Sequence, residues 1–137
     1  MAKFNHWLNP FSTKPSTQTL GRQTEALALK HLQNQGLQLI ARNWSCRGGE
    51  LDLVMLDSDT VVFIEVRYRS SERYGGAIES IDLRKRSRIT LAAQRYLQSE
   101  TRWQAYPCRF DVVTLKPGNL TPSVQWLKNA FDASHYS

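Results

Sequence analysis

The chain has only two cysteines, Cys46 and Cys108, in 137 residues. They form no CxxC pair and no multi-cysteine framework. That excludes a disulfide scaffold and a thiolate zinc site, and predicts reduced thiols in a cytosolic protein. Histidine is equally sparse: His6, His31 and His135 fall in an arm, a helix and a terminus, without zinc spacing. No run of about 18 apolar residues occurs, so no transmembrane helix is expected. The N-terminus lacks the apolar core of a signal peptide, and the expected location is cytoplasmic. Acidic residues are in the minority, 12 against 18 Lys plus Arg, for a formal charge of +6. A surplus of that sign suits a polyanionic partner. What remains is ordinary: 41% hydrophobic and 22% charged residues, in a length that fits one domain with a real core.

Residues 1–19 are rich in Ser, Thr, Asn and Pro and read as a flexible arm carrying Trp7, Leu8 and Phe11. "LGRQTEALALKHLQNQG" predicts a first helix stopped by Gly36. Ala28, Leu29 and Leu32 lie at helical spacing from Glu25, which puts a carboxylate on the face to be buried. Such a group needs a partner. "LQLIARNW" predicts the first strand.

The next two strands form a hairpin about the turn "DSDT", 57–60. Centring the turn between Ser58 and Asp59 pairs Leu56 with Val61, Val54 with Phe63, Asp52 with Glu65 and Glu50 with Arg67. These eight share one face. Leu51, Leu53, Met55, Val62, Ile64 and Val66 take the other, which predicts a central pair in a sheet covered on both sides. Asp52 and Glu65 then repel across the strands. Three arrangements relieve this: one carboxyl takes a proton, both reach solvent, or both hold a hard divalent cation. Glu25 adds a third acid and favours the cation.

Gly75-Gly76 breaks a loop, and Ser80 or Asp82 caps a second helix running to about Ser99. Ile89, Ala92, Ala93, Tyr96 and Leu97 form its buried face. Arg84, Lys85, Arg86 and Arg88 crowd its first two turns, against the helix dipole. That hints at an anionic partner, with Arg67, Arg69 and Arg73 nearby in sequence. "CRFDVVTL" is a strand ended by the turn "KPGN"; "SVQWL" is a short final strand, "KNAF" one helical turn, and 132–137 a tail. The expected class is α/β over residues 20–131: a mixed β-sheet flanked by helices, in the order αβββαβ with one more short strand.

The strings "GRQTEALALKHL", "RGGELDLVM", "VVFIEVRYRSS", "YGGAIESID", "RKRSRITLAAQRYL" and "CRFDVV" together resemble the YraN-like family of bacterial proteins. That family is similar to archaeal Holliday-junction resolvases, within the restriction-endonuclease-like PD-(D/E)XK nuclease superfamily. The resemblance covers about Gly21 to Phe131. It implies the same αβββαβ core and phosphodiester cleavage with Mg²⁺ or Mn²⁺. By position, Glu25 matches the first-helix acid, Asp52 the metal-binding aspartate and Glu65 the acid of the ExK element. The carbonyl of Val66 matches a further metal ligand.

One position departs: the ExK lysine is Arg67. Arginine stays charged and cannot act as a general base, yet it grips phosphate through two donors. Lys85, on the helix face shared with Ile89 and Ala92, is the nearest replacement. The resemblance thus implies Asp52, Glu65, Arg67 and Lys85 as catalytic residues. Glu25, Asp52, Glu65 and Val66 would hold the metal. Arg67, Arg69, Arg73, Arg84, Lys85, Arg86 and Arg88 would contact nucleic acid, expected to be DNA and branched DNA in particular. A non-catalytic nucleic-acid-binding module of the same fold is the second reading. A protein-interaction domain using the aromatic arm and the Trp126 region is the third. A second copy of the chain is a further expected partner.

Overall fold

A computed structural model describes residues 17–69 and 81–132. In chain order the elements are α1 (Thr17–Asn34), β1 (Gln38–Cys46), β2 (Gly49–Asp57), β3 (Thr60–Tyr68), α2 (Leu83–Ser99), a 3-10 turn (Thr101–Trp103), β4 (Cys108–Lys116) and β5 (Ser123–Phe131). The strands make one sheet in the order β1-β2-β3-β4-β5. Every neighbouring pair is antiparallel except β3 and β4, which run parallel across the connection that carries α2. The expected α/β class and its element order are those observed. No helix among the described residues is long and apolar enough to cross a membrane.

Local chemistry sets the boundaries. α1 ends in a Schellman motif: Leu37 N–H donates to Leu32 C=O at 3.1 Å and Gly36 N–H to Gln33 C=O at 3.0 Å. The motif needs a left-handed residue, and Gly36 supplies it with φ 99°. α2 is capped by Asp82, whose carboxylate accepts the Lys85 N–H at 2.8 Å. Ser80, the other expected cap, lies outside the described residues, as do the Gly75-Gly76 loop, Arg73 and residues 1–16. α1 starts at Thr17, inside the stretch expected to be arm.

The two sheet faces are buried by different helices. Ala28, Leu29 and Leu32 of α1 pack on Leu53, Met55, Val62, Ile64, Val113 and Leu115. Ile89, Ala92, Ala93 and Tyr96 of α2 pack on Val54, Val61, Phe63, Phe110 and Val112. Leu97, expected on that buried face, is only partly covered. Gly49 permits the close approach of β2 to α2, because a Cβ there would overlap the carbonyl oxygen of Arg88.

The chain end differs from expectation. "KNAF" is not a helical turn but the last part of a nine-residue β5. Asp111 explains why. This fully buried carboxylate accepts from the Asn129 N–H at 2.9 Å, Trp126 Nε1 at 2.9 Å and Arg109 Nε at 3.0 Å. Asn129 adopts φ 55°, the register shifts between Phe110 and Val112, and Phe131 stacks on Phe110 at 4.9 Å. The bulge re-aims the strand end so that Ala130 and Phe131 stay buried. Arg109 also reaches Asp57 at 2.8 Å, tying the hairpin turn to the same network. Removing the central charge strands the others, so Asp111→Ala is expected to cost roughly 3–5 kcal/mol in urea denaturation. A loss below about 1 kcal/mol would mean that the network does not hold β5.

Candidate carboxylate site and basic cleft

The hairpin register follows the expected pairing from Asp57↔Thr60 to Leu53↔Ile64 and then stops. The expected Asp52–Glu65 ladder pair does not form. Instead Asp52 Oδ2 accepts the main-chain N–H of Val66 at 2.9 Å, so a side chain takes the place of a strand carbonyl. The alternation of faces breaks at the same point. Leu51 packs in the α2-side core with Val54, whereas Leu53 packs on the α1 side. Leu51 was expected on the same face as Leu53, and the break at Asp52 is what separates them.

Asp52 and Glu65 are nevertheless in contact. Glu65 is 5% exposed. Burial, the charge of Asp52 and a hydrogen bond to Asp52 push the Glu65 carboxyl up to about 8. Lys85 and Arg67 oppose that shift without cancelling it. A carboxyl so shifted keeps its proton near neutral pH when no cation is bound, and can donate it to Asp52. Of the three ways to relieve the repulsion, the shift favours proton sharing in the metal-free protein.

Two cations converge on one oxygen: Glu65 Oε2 lies 3.4 Å from Lys85 Nζ and 3.6 Å from Arg67 Nη1. α2 brings Lys85 beside Glu65. Glu25 approaches from α1, on the turn before Ala28 and Leu29. Its carboxyl is raised by burial and then by the charge of Asp52. Its Oε1 is shut off from solvent and has no hydrogen-bond partner.

Among the described residues, no three His, Cys, Asp or Glu side chains stand together as a ready metal-binding group. The donors fit a hard divalent cation all the same. Two carboxylates are in contact, a third lies near enough to feel the charge of the first, and one of its oxygens is orphaned. Mg²⁺ is held through one or two carboxylates and keeps several waters, so a complete protein cage is not required.

Beside the acids lies a shallow depression of about 400 Å³, lined by Arg67, Asp82, Arg84, Lys85 and Arg88. Asp82 is occupied as the helix cap, which leaves the cations to set the sign of the cleft. The expected basic cluster therefore divides. Arg84, Lys85 and Arg88 line the cleft, but Arg86 does not: its Nε donates to Ile81 C=O at 2.9 Å and its guanidinium lies over Phe131 at 5.9 Å. Helical spacing is the cause, since positions 84, 85 and 88 share one side of α2. Arg69 is 8% exposed, far less open to solvent than Arg67. Asn43, which the sequence did not single out, donates its side-chain amide to Glu25.

Comparison with known proteins gives one family. The model of the Uncharacterised protein family UPF0102 matches residues 24–115, from the helix of Glu25 through β4. A UPF0102 protein of Stutzerimonas stutzeri is 55% identical over 85% of this chain and 98% of its own length. One from Pseudomonas aeruginosa is 56% identical over 88% of this chain and 98% of its own. One from Pseudomonas entomophila is 62% identical over 82% and 92%. Among solved structures, the crystal structure of SSO0001 is a distant match. Its TM-score is 0.40 at 15% identity, over 88% of this chain and 56% of that one. A family model spanning most of the chain, and relatives matched over nearly their whole length, show that this chain belongs to the UPF0102 family.

Proposed function

We propose that this protein binds nucleic acid, most readily DNA, and hydrolyses its phosphodiester backbone with a divalent cation. The observation that carries the reading is Glu65: a buried carboxyl beside Asp52, with one oxygen near both Arg67 and Lys85, two residues that line the cationic cleft. The resemblance to PD-(D/E)XK nucleases, and to Holliday-junction resolvases among them, points the same way and suggests branched DNA.

Asp52, Glu65 and the carbonyl of Val66 would hold Mg²⁺ or Mn²⁺, with Glu25 beside them. Such an ion, when bound, lowers the pKa of a water and polarises a phosphoryl oxygen. The chain's own residues do the rest. Arg67 and Arg84 can fix phosphate oxygens, each through a forked guanidinium. Lys85, 3.4 Å from Glu65, can orient a water and give or take a proton, which Arg67 cannot. Cations lining a shallow cleft would grip the phosphate backbone, which gives affinity without sequence readout. Free Cys46 and Cys108 suit a cytoplasmic setting for this chemistry.

Arg67 at the lysine position favours a second reading, a binding module that no longer cleaves. Incubation with duplex, single-stranded and four-way-junction DNA, with and without Mg²⁺ or Mn²⁺, separates the two. Cation-dependent nicking establishes the enzyme; retention without nicking establishes the module. Neither outcome on any substrate rejects both.

The cleft itself is testable by salt. Each phosphate contact contributes roughly 0.9 to the slope of log affinity against log salt on duplex DNA. Replacing Arg84 and Arg88 together by Gln should flatten that slope by about 1.8. Arg86→Gln, on the other side of α2, should leave it unchanged. If the double variant keeps the parent's slope, the binding surface lies elsewhere.

A further inference from the structure

The proposed chemistry gives Asn43 no role, yet its geometry is unusual for a strand residue. It stands within β1 with φ 54°, a left-handed value that side-chain-bearing residues avoid. The pairs on either side, Arg42↔Leu53 and Trp44↔Leu51, bring Asn43 level with Asp52 on the neighbouring strand. Arg42 and Asn43 are both exposed in succession, so the backbone turn takes Asn43 out of the sheet's alternation. Its side chain then reaches the Glu25 carboxylate on α1. A strained residue, level with one acid and bonded to a second, sits where the two elements carrying those acids meet.

We propose that Asn43 is a positioning residue: its side-chain amide pins one oxygen of Glu25, so that the orphaned Oε1 is held toward the carboxylates of Asp52 and Glu65. The proposal rests on the carboxylate-site reading above and adds the device that aims the third acid. Asparagine suits both demands. It tolerates the left-handed region better than most residues, and it carries a donor that an ionised carboxylate accepts. Aspartate would share the backbone tolerance but repel Glu25. The Oε1 atom, buried without a partner, is what a ligand oxygen looks like before its cation arrives. Left unheld, Glu25 would turn that oxygen to water or to the nearby Arg42.

The test is calorimetric titration with MnCl₂ on the full chain, comparing the parent, Asn43→Gly, Glu25→Gln and the double variant. Glycine accepts φ 54° without strain, so Asn43→Gly should melt at or above the parent temperature. Its Mn²⁺ affinity should fall by about tenfold or more, the usual cost of losing a group that orients a ligand. Glu25→Gln should lose at least as much, and the double variant no more than Glu25→Gln alone, because Asn43 acts through Glu25. If the parent binds Mn²⁺ and Asn43→Gly binds it equally, Asn43 does not position Glu25, and the carboxylate-site reading stands without it. Additive losses in the double variant would also overturn the proposal. A melting temperature several degrees below the parent would make Asn43 a fold residue and overturn it too. No Mn²⁺ uptake by the parent at millimolar concentration would sink the carboxylate-site reading, and this proposal with it.

Discussion

Glu65→Gln should abolish divalent-cation uptake and, in the absence of metal, make the protein's stability far less sensitive to pH. The parent carboxyl is raised from an ordinary 4.5 to about 8, chiefly by burial and then by the Asp52 charge. The folded protein therefore keeps a proton that the unfolded chain releases across that window. This contribution to stability is fully present below about 4.5 and is lost as pH rises through about 8. Within the window, the metal-free parent should lose up to about 1.4 kcal/mol per pH unit from this group. Glutamine cannot ionise, so the variant should lack that slope and should equal or exceed the parent in stability above the window.

Metal uptake, as proposed, should show the same proton from the other side. A cation held by Asp52 and Glu65 must displace it, so the parent's Mn²⁺ affinity should rise by roughly tenfold per pH unit through the window and then level off. Denaturation midpoints and calorimetry at several pH values read both effects. A parent whose metal-free stability is flat over this range would show that Glu65 is ionised throughout. Proton sharing with Asp52 would then be rejected.

Arg67→Lys should raise cation-dependent cleavage of branched DNA above the parent's while weakening DNA binding. Arg67 lies 3.6 Å from Glu65 Oε2, facing both the acids and the cleft, so a change there is felt by both. A permanent guanidinium can fix a phosphate but cannot take or give a proton; an ammonium can orient water and donate one. The gain should reach the 10²–10⁴-fold scale of acid–base catalysis if proton transfer limits the parent. The loss of affinity follows from the fork, since lysine cannot hold two oxygens at once. Rates and affinities on one junction substrate, for parent and variant, decide the matter. If the parent cuts briskly and Arg67→Lys cuts worse, Arg67 is the working residue and Lys85 already supplies the proton step.

Much of this was written in local sequence. The turn at 57–60 and the alternating apolar runs on either side fixed the hairpin register as far as Leu53, because a slip would have turned every core side chain outward. Periodicity put Ala28, Leu29 and Leu32 on the inner face of α1, and Ile89, Ala92 and Ala93 on that of α2. Asp82 and Gly36 marked helix ends by chemistry that acts over a few residues. Asp52 and Glu65 could be named because each stands between apolar neighbours in a strand, Glu25 because it falls on the apolar face of a helix, and Lys85 from the helix face it shares with Ile89 and Ala92. Only the tertiary structure decided what depends on contacts between distant segments. Asp52 trades its ladder partner for the Val66 amide because the strand breaks alternation there. Arg86 leaves the basic cleft because its side of α2 meets Phe131, and "KNAF" is a strand because buried Asp111 takes the Asn129 amide, 18 residues away. Asn43 carried no sequence signal, since a left-handed φ and a bond to a helix acid arise only once α1 and β1 are packed. Propensity is a sum over neighbours along the chain, whereas these outcomes follow from satisfying polar groups buried between elements.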